Sequence, residues 1–370
     1  MIKKLTSRFI LFVVVFNMAF ATVVFASDNT DTENAKIYLT GDIMCQYKQQ
    51  SAASTGTSFD FTPTFKYVKN IFKEGDLVIG NLETLISKDH PLSTEVKRVE
   101  GKPYLNSPFE FLEAIKDAGY TALVNANNHN CDGGIIGLEN TIKAIKEVGL
   151  ETTGTFDRDQ EKRYISYDVK GIKVGVLSYA AYFNAKEHHL GLFERNFYLN
   201  RFANERIKND VKQMREDGIE YIIAYSHWGS EYTNTENPLQ RKCAKEMAEA
   251  GVDYIIGSHP HALQRYDIIK TTDGRKVPIV YSMGNFTSNM GWDISKDTII
   301  LSIELSKKNG KVILENEGYY PCYMMTKYGK DNYVVMPISK KYNDNYSSKE
   351  LNKAKKRIVG VMGNKIPVFQ

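Results

Sequence analysis

The chain has 370 residues, of which 42% are hydrophobic, so it is long enough to bury one large core or two smaller ones. Its 48 Lys and Arg residues nearly balance 44 Asp and Glu residues, and the net charge is +4. A charge of this size gives no basis for nucleic-acid binding, and we predict no nucleic-acid partner.

The N-terminal segment has the order of basic, apolar and small residues that is typical of a secretion signal. Three basic residues within the first eight precede an apolar run over residues 9–25, and Val24 and Ala26 stand at the −3 and −1 positions of a cleavage site. An uncleaved anchor is the alternative, because a run of this length approaches the lower limit for a membrane span. We therefore predict an extracytoplasmic protein, secreted or anchored at the cell surface, with residues 1–26 as signal peptide or N-terminal anchor.

The four cysteines, Cys45, Cys131, Cys243 and Cys322, are scattered along the chain with no short spacing between them. This spacing predicts neither a disulfide framework nor a thiolate metal site. Export would permit disulfides, and Cys45 and Cys131 both follow candidate site motifs. Four independent small hydrophobic side chains are the simpler interpretation.

Short apolar strands alternate with helical periods through the first part of the exported chain. The pattern predicts strands at 36–40, 76–80 and 120–124, and helices through 65–72, from Pro108 to Gly119 and through 138–145. A polar loop is predicted over 87–107.

The later part adds antiparallel strands. A hairpin is predicted around Lys170-Gly171, followed by helices at 204–216 and 238–250 and strands at 219–225, 252–256, 278–281, 298–305 and 311–320. We predict an α/β fold in one domain over residues 34–338, built from helix-covered, mainly parallel strands with antiparallel ones after them. Residues 339–370 read as a polar basic tail with a solvated helix over 349–357.

Polar side chains that can bind a metal follow the ends of five predicted strands. They are Asp42, Glu83, Asn128 with His129, His227, and His259 with His261. Each has an ordinary explanation when taken alone, as a turn former, a surface carboxylate or a core histidine. Because the carboxyl ends of strands in an open α/β sheet line the crevice where ligands bind, five such ends together predict a metal site. Carboxylate, amide and imidazole ligands without thiolate favour Mn, Fe, Zn or Ni, as one or two divalent ions.

His259 and His261 are the strongest pair in this set, although a His-x-His pair alone is weak evidence. Pro260 restricts the backbone between them. If the segment stays extended, alternate side chains point the same way, so we expect both imidazoles to face one site.

The stretch Asn125–Gly134 holds four asparagines and a histidine, more than a turn requires. We predict Asn128 to be a metal ligand and His129 to be the acid–base group that faces the substrate. Asp132, three residues on, is placed to orient His129 and raise its basicity.

Six short motifs follow one another along the chain. They are GDIM (41–44), GNLE (80–83), ANNHNCDGG (126–134), HWGSEY (227–232), GSHPHA (257–262) and SMGNF (282–286). Together they resemble the CapA family of poly-γ-glutamate capsule synthesis proteins, within the calcineurin-like metallophosphoesterase superfamily. The resemblance covers about residues 36–286 and implies a β-sandwich flanked by helices, in four αββα layers, with its site at the strand ends.

The metallophosphoesterase ligand pattern is matched only in part. Met44 stands where the first block has a histidine, and Asn81 stands where the second has an aspartate, with Glu83 as the nearest carboxylate. In such enzymes two metals share a bridging carboxylate and activate a water. A thioether is a poor ligand for a hard ion. The resemblance therefore implies one intact metal position, from Asn128, His227, His259 and Glu83, and a weakened second one, from Asp42 and His261.

Two functions fit this resemblance. The first is a metal-dependent hydrolase or transferase acting on a phosphoester or on an amide of the capsule polymer, with His129 as catalytic residue, Asp132 or Glu231 assisting, and Asn81, Asn127 and Asn285 binding substrate. The second is a non-catalytic assembly component that binds poly-γ-glutamate, or another anionic or phosphorylated substrate, or contacts membrane capsule synthase subunits. A patch of Lys186, His188 and His189, or the basic tail, is a candidate for holding a polyanion, although a solvated loop is the simpler interpretation of the patch.

Overall fold

A computed structural model describes residues 34–158 and 162–370. The strands are β1 (Ala35–Ile43), β2 (Leu77–Leu82), β3 (Arg98–Val99), β4 (Lys102–Pro103), β5 (Ala122–Val124), β6 (Glu151–Thr153), β7 (Ile165–Val169), β8 (Ile172–Ala180), β9 (Tyr221–His227), β10 (Tyr254–Ser258), β11 (Leu263–Lys270), β12 (Lys276–Met283), β13 (Asn285–Thr287), β14 (Asp297–Lys308), β15 (Lys311–Tyr328) and β16 (Asp331–Pro337). The α-helices are α1 (Tyr47–Ala53), α2 (Thr62–Phe65), α3 (Lys69–Phe72), α4 (Phe109–Ala118), α5 (Gly134–Glu147), α6 (Leu192–Tyr198), α7 (Asn204–Glu216), α8 (Pro238–Ala250) and α9 (Lys349–Met362). Two 3₁₀ turns lie at Lys186–His189 and Asp293–Ser295.

The predicted signal peptide or anchor, residues 1–26, lies outside the described residues. Among the residues that are described, none of the helices has the length and apolar character needed to cross a bilayer.

Two mixed sheets carry the fold. The larger has the strand order β16-β15-β14-β1-β2-β5-β6, with β13 also paired to β1. Its strands β1, β2, β5 and β6 are parallel, whereas β14, β15 and β16 are antiparallel to their neighbours. The smaller sheet has the order β11-β12-β10-β9-β8-β7, parallel from β12 to β8 with an antiparallel strand at each edge. The predicted α/β fold and the hairpin around Lys170-Gly171 are confirmed.

The sheets pack face to face between two layers of helices. Ile37 of β1 and Val176 of β8 belong to one buried cluster between the sheets. Because successive strand residues point to opposite faces, Tyr38 faces outward and packs beneath α2, α3 and α4. Ile222 of β9 likewise packs beneath α7 and α8. This is the four-layer αββα arrangement that the resemblance implied.

Helix boundaries follow the capping residues of the sequence. α7 and α8 have the predicted bounds. At the start of α8, the side chain of Asn237 accepts a hydrogen bond from the Gln240 amide at 3.0 Å, and the Gln240 side chain accepts one from the Asn237 amide at 2.9 Å. Gly119 ends α4 with a φ of +112°, in the left-handed region that favours glycine.

Several local predictions are wrong. The single helix predicted through 65–72 is two short helices, α2 and α3, and the polar loop over 87–107 contains the hairpin β3–β4. Strands β6, β11, β13 and β16 were not predicted. The edge strand β11 starts directly after the GSHPHA motif and alternates only partly between buried and exposed residues, so its sequence reads as a continuation of the loop.

The segment predicted as a polar tail packs against the core. α9 buries Leu351, Ala354, Ile358 and Met362 in the cluster between the sheets. These residues recur at helical spacing, so the helix is amphipathic and only its charged face is solvated.

All four cysteines are buried and form no disulfides. Cys45 and Cys131 belong to different hydrophobic clusters, which agrees with independent small hydrophobic side chains.

Gly257 stands where β10 passes too close to the backbone of β12 for a side chain. A Cβ at this position would lie 1.9 Å from the Tyr281 carbonyl oxygen and 2.7 Å from Trp228 Nε1. We predict that Gly257→Ala lowers the free energy of unfolding by about 1–3 kcal/mol. Gly360→Ala, in α9 where no atom lies within 4 Å of the added carbon, should raise it by about 1 kcal/mol. Urea denaturation of both variants measures the contrast, and equal effects would contradict the steric argument.

Candidate metal centre

The carboxyl ends of parallel strands from both sheets bring the predicted polar side chains to one place. In the larger sheet Asp42 of β1 pairs with Asn81 of β2, and in the smaller sheet His227 of β9 pairs with Ser258 of β10. Asn81 Nδ2 donates to Asp42 Oδ1 at 2.8 Å and lies 3.5 Å from His227 Nδ1. The polar cluster therefore crosses from one sheet to the other.

Three polar atoms of other residues lie close to the ring nitrogens of His227. Its Nε2 lies 3.0 Å from Asn128 Oδ1 and 3.1 Å from His259 Nδ1, and its Nδ1 lies 3.0 Å from Ser258 Oγ. Asn128 Oδ1 and the two imidazole nitrogens can each offer a lone pair. Atoms of this kind gathered at one point are suited to coordinating a cation.

Glu83 has the environment that most favours a metal. Its side chain is fully buried, and among the described residues neither carboxylate oxygen has a hydrogen-bond partner. Oε1 lies 3.7 Å from His227 Nε2 and 3.8 Å from His261 Nε2. A buried carboxylate without a partner is costly, so a divalent cation fits this position by supplying the contact that the oxygens need.

Glu83 belongs to two groups of candidate ligands. Ligand atoms of Glu83, His259 and His261 lie within 4.8 Å of one another, as do those of Asp42, Glu83 and His227. Glu83 thus occupies the place of a shared carboxylate. The implied first position is also close together, since His227 Nε2 lies 3.0 Å from Asn128 Oδ1, 3.1 Å from His259 Nδ1 and 3.7 Å from Glu83 Oε1. How the ligands divide between two positions stays a prediction.

Burial shifts the protonation of these groups. It lowers the pKa of His259 to about 3 and that of His261 to about 4, and it holds the pKa of His227 well below its ordinary value. Burial also raises the pKa of Asp42 to about 6, and burial together with the charge of Asp42 raises the pKa of Glu83 well above its ordinary value. The histidines are therefore neutral, which is the form that binds metal.

The segment of His259 and His261 is not extended, so the condition for the expected orientation does not hold, yet both imidazoles face the one site. The φ angle is +93° at His259 and +52° at His261, values that non-glycine residues rarely adopt. The His259 amide donates to Asp42 Oδ2 at 3.1 Å, and His261 Nδ1 lies 2.8 Å from Asn285 Oδ1. These contacts hold both imidazoles in the cluster despite the strained backbone.

His129 and Asp132 form the predicted contact. His129 Nδ1 lies 2.7 Å from Asp132 Oδ2, and Asp132 also accepts hydrogen bonds from the Leu105 amide at 2.8 Å and from Lys186 Nζ at 2.6 Å. The Lys186 side chain is only 4% exposed. Lys186 is therefore a buried partner of Asp132 rather than part of a solvated patch with His188 and His189. No signal in the sequence KEHH distinguishes it from a surface lysine.

The three asparagines predicted to bind substrate are buried and contact other site residues. Asn81 contacts Asp42, Asn285 contacts His261, and Asn127 Oδ1 accepts a hydrogen bond from the His129 amide at 3.1 Å. These side chains therefore position candidate ligands and His129, and their contact with substrate stays a prediction.

A cleft of about 450 Å³ opens over one side of the centre. Asn128, His129 and His261 line it together with Met44 and the exposed Glu231. Asp42, Glu83, His227 and His259 are buried and are not among the lining residues. The cleft gives a substrate access to His129 and to the edge of the metal centre.

The chain is similar to proteins of bacterial capsule synthesis. A family model described as bacterial capsule synthesis protein PGA_cap matches residues 36–290. The capsule biosynthesis protein CapA of Bacillus anthracis is 33% identical over 293 residues, which are 76% of this chain and 67% of that protein. The PGA biosynthesis protein CapA of Bacillus subtilis (strain 168) is 29% identical over 325 residues, 83% of this chain and 79% of that protein.

Among solved structures, the calcineurin-like phosphoesterase YfkN from Bacillus subtilis is similar in fold. Its TM-score is 0.50 at 14% identity, and the match covers 88% of this chain and 98% of that chain. At this identity the likeness concerns the fold alone.

Proposed function

The chain belongs to the family of bacterial capsule synthesis proteins, and we propose that it acts there as a metal-dependent hydrolase on an anionic substrate. The observation that carries the proposal is the fully buried Glu83, whose oxygens have no hydrogen-bond partner within the described part of the chain. Because neutral imidazoles surround it, a divalent cation is the group that best satisfies this carboxylate.

The residues that would hold the metal are Asp42, Glu83, Asn128, His227, His259 and His261. Their oxygen and nitrogen donors suit Mn, Fe or Zn. One or two such ions would supply activation of water and neutralisation of negative charge on the substrate.

His129 is the acid–base residue in this proposal. Its Nδ1 is held by Asp132, and the ring lines the cleft. The imidazole is thereby oriented to give a proton to a leaving group. Glu231, exposed at the mouth of the same cleft, is the second titratable group within reach of a substrate.

We extend the proposal to substrate and location. The similarity to the PGA biosynthesis protein CapA supports poly-γ-glutamate as the substrate or product polymer, with capsule synthase subunits as partners. The basic, apolar and small residues of segment 1–26 support export.

The test combines metal counting with turnover. The purified protein is loaded with Mn²⁺, Fe²⁺ or Zn²⁺, the bound equivalents are measured, and hydrolysis of bis(p-nitrophenyl) phosphate is followed. His129→Ala should keep the wild-type metal content and lose turnover by about a hundredfold. The matched control is His188→Ala, an exposed histidine, which should change neither quantity. Bound metal without turnover would contradict the hydrolase and favour the non-catalytic assembly component.

A further inference from the structure

Two groups of exposed residues at the mouth of the cleft have no part in the metal centre. We call Arg98 and Lys102 the cationic hairpin, and Tyr232 and Trp292 the aromatic rim. We infer that they form a binding site for an extended acidic chain, whose carboxylates pair with the hairpin while its methylene groups pack on the rim. The inference rests on the proposed function only in taking the cleft as the place where an anionic polymer is handled.

The cationic hairpin holds Arg98 and Lys102 beside the cleft. β3 and β4 are joined by Glu100 and Gly101, whose φ angles of +51° and +74° fit a tight two-residue turn. Arg98 donates from Nε and Nη2 to the Gly101 carbonyl oxygen at 3.2 and 2.7 Å. This contact fixes the guanidinium at the turn, beside the cleft that Arg98 and Lys102 both line.

The two cations of the hairpin are available to a ligand. Within residues 34–158 and 162–370, neither Arg98 nor Lys102 has an ion-pair partner, and the acidic residue of the turn, Glu100, pairs instead with His189 at 3.1 Å. Glu100 and Glu231 both line the cleft. The hairpin therefore offers two positive charges to a ligand beside two exposed carboxylates, of which Glu100 contacts His189.

The aromatic rim extends the cleft outward from the metal centre. The Tyr232 ring lies 5.9 Å from the His261 ring, and Trp292 packs edge-on against Tyr232 at 4.8 Å. Trp292 is 59% exposed, whereas the other tryptophan, Trp228, is 1% exposed. Tyr232 is held in a left-handed conformation, φ +61°, and its amide donates to the Pro260 carbonyl oxygen at 2.7 Å. An exposed tryptophan supported in this way is typical of a binding surface.

The combination favours an acidic chain with flexible methylene groups. A guanidinium binds a carboxylate through two parallel hydrogen bonds, and a lysine adds a second, separate point charge. Aromatic faces gain from contact with the apolar stem between successive charges. A chain of γ-linked glutamates has both features, whereas a polyphosphate has no apolar stem for the rim.

Binding is measured directly on the full chain with a γ-linked glutamate oligomer as the probe. The variant that carries both Arg98→Gln and Lys102→Gln should raise the Kd by about tenfold, as expected for the loss of two exposed ion pairs. Lys311→Gln is the matched control. Lys311 follows the turn Asn309-Gly310, which has the same backbone signs, φ +51° and +72°, and it lies at the far end of the larger sheet from Asp42. It should leave the Kd unchanged.

The fluorescence of Trp292 shows whether the oligomer is bound at the aromatic rim. Saturating oligomer should reduce acrylamide quenching of the exposed Trp292, while the buried Trp228 gives a constant background. Trp292→Phe should remove the quenchable fraction. Three results would each overturn the inference: equal Kd values for the double variant and the control, unchanged quenching at saturation, or tighter binding of inorganic polyphosphate than of the glutamate oligomer.

This test is separate from that of the proposed function because it involves no turnover. If the oligomer binds as expected and the diester is not hydrolysed, the proposal of a hydrolase is rejected and the acidic-chain site is retained. If the diester is hydrolysed and the oligomer does not bind, only the inference of an acidic-chain site is rejected.

Discussion

Glu83→Gln is expected to weaken binding of a divalent metal by about a thousandfold, the order expected for the loss of one ligand from a metal site. The effect is large because Glu83 is the carboxylate shared by both groups of candidate ligands. Glutamine keeps the size of the side chain and removes its charge. Competition with a fluorescent chelator gives the affinity, and elemental analysis after dialysis gives the retained equivalents. Unchanged retention would remove Glu83 from the metal centre.

The same substitution should make the metal-free protein more stable. Burial raises the folded-state pKa of Glu83 above its ordinary value of 4.5. The folded protein therefore keeps a proton that the unfolded chain releases, and the stability this provides is present below pH 4.5 and lost as pH rises through the folded pKa. Above that point only the wild type carries a buried, unpartnered charge, so the variant gains about 2 kcal/mol.

Urea denaturation of chelator-treated protein, from below pH 4.5 up to the pH at which stability stops falling, measures this difference. Glu317→Gln is the control, because that half-buried carboxylate accepts hydrogen bonds from the hydroxyls of Tyr254 and Tyr266, both at 2.8 Å. It should lose stability and leave metal content unchanged. If Glu83→Gln also lost stability at neutral pH without metal, Glu83 would have a partner other than a cation.

The sequence was sufficient to predict that distant side chains meet. Asp42 and His227 lie at the carboxyl ends of their strands, and Asn128 lies in the loop that follows β5. Parallel strands present their carboxyl ends at one edge, so the convergence of these residues follows from the topology. Packing two sheets face to face then brings His227 of the smaller sheet within reach of Asn81 of the larger. The order of the motifs along the chain is therefore enough to predict that these side chains converge.

The finer arrangement depends on contacts that no local pattern encodes. Glu83, directly after β2 of the larger sheet, joins both ligand groups because it lies close to histidines carried by the smaller sheet. His259 and His261 share a site through left-handed φ angles, where an extended segment was the natural expectation. An asparagine after a strand can bind a metal or can position another side chain. The sequence does not show that Asn128 has the first role and Asn127 the second. The pairing of Lys186 with Asp132 spans 54 positions, so only the tertiary fold reveals it.

Lys186→Met should be the most destabilising of these substitutions, lowering the free energy of unfolding by about 3–5 kcal/mol. Methionine has a similar length and no charge. The carboxylate of Asp132, with a side chain that is 0% exposed, would then be buried beside His129 and the Leu105 amide without its cation. Removing one partner of a buried ion pair costs more than removing an exposed pair, because the remaining charge cannot reach water. Urea denaturation at neutral pH gives the loss.

The double variant Lys186→Met with Asp132→Asn should recover much of that loss, because no charge is then left unpaired, and the coupling energy from the full cycle isolates the pair. Lys208→Met is the exposed control: its lysine side chain is 52% exposed and pairs with Glu205 at 2.9 Å, and its loss should be about 0.5 kcal/mol or less. Equal losses for Lys186→Met and Lys208→Met would place Lys186 in solvent. Asp132 also holds His129 in place. If the double variant recovers stability but not turnover, the charge pair contributes both to folding stability and to the position of the His129 imidazole.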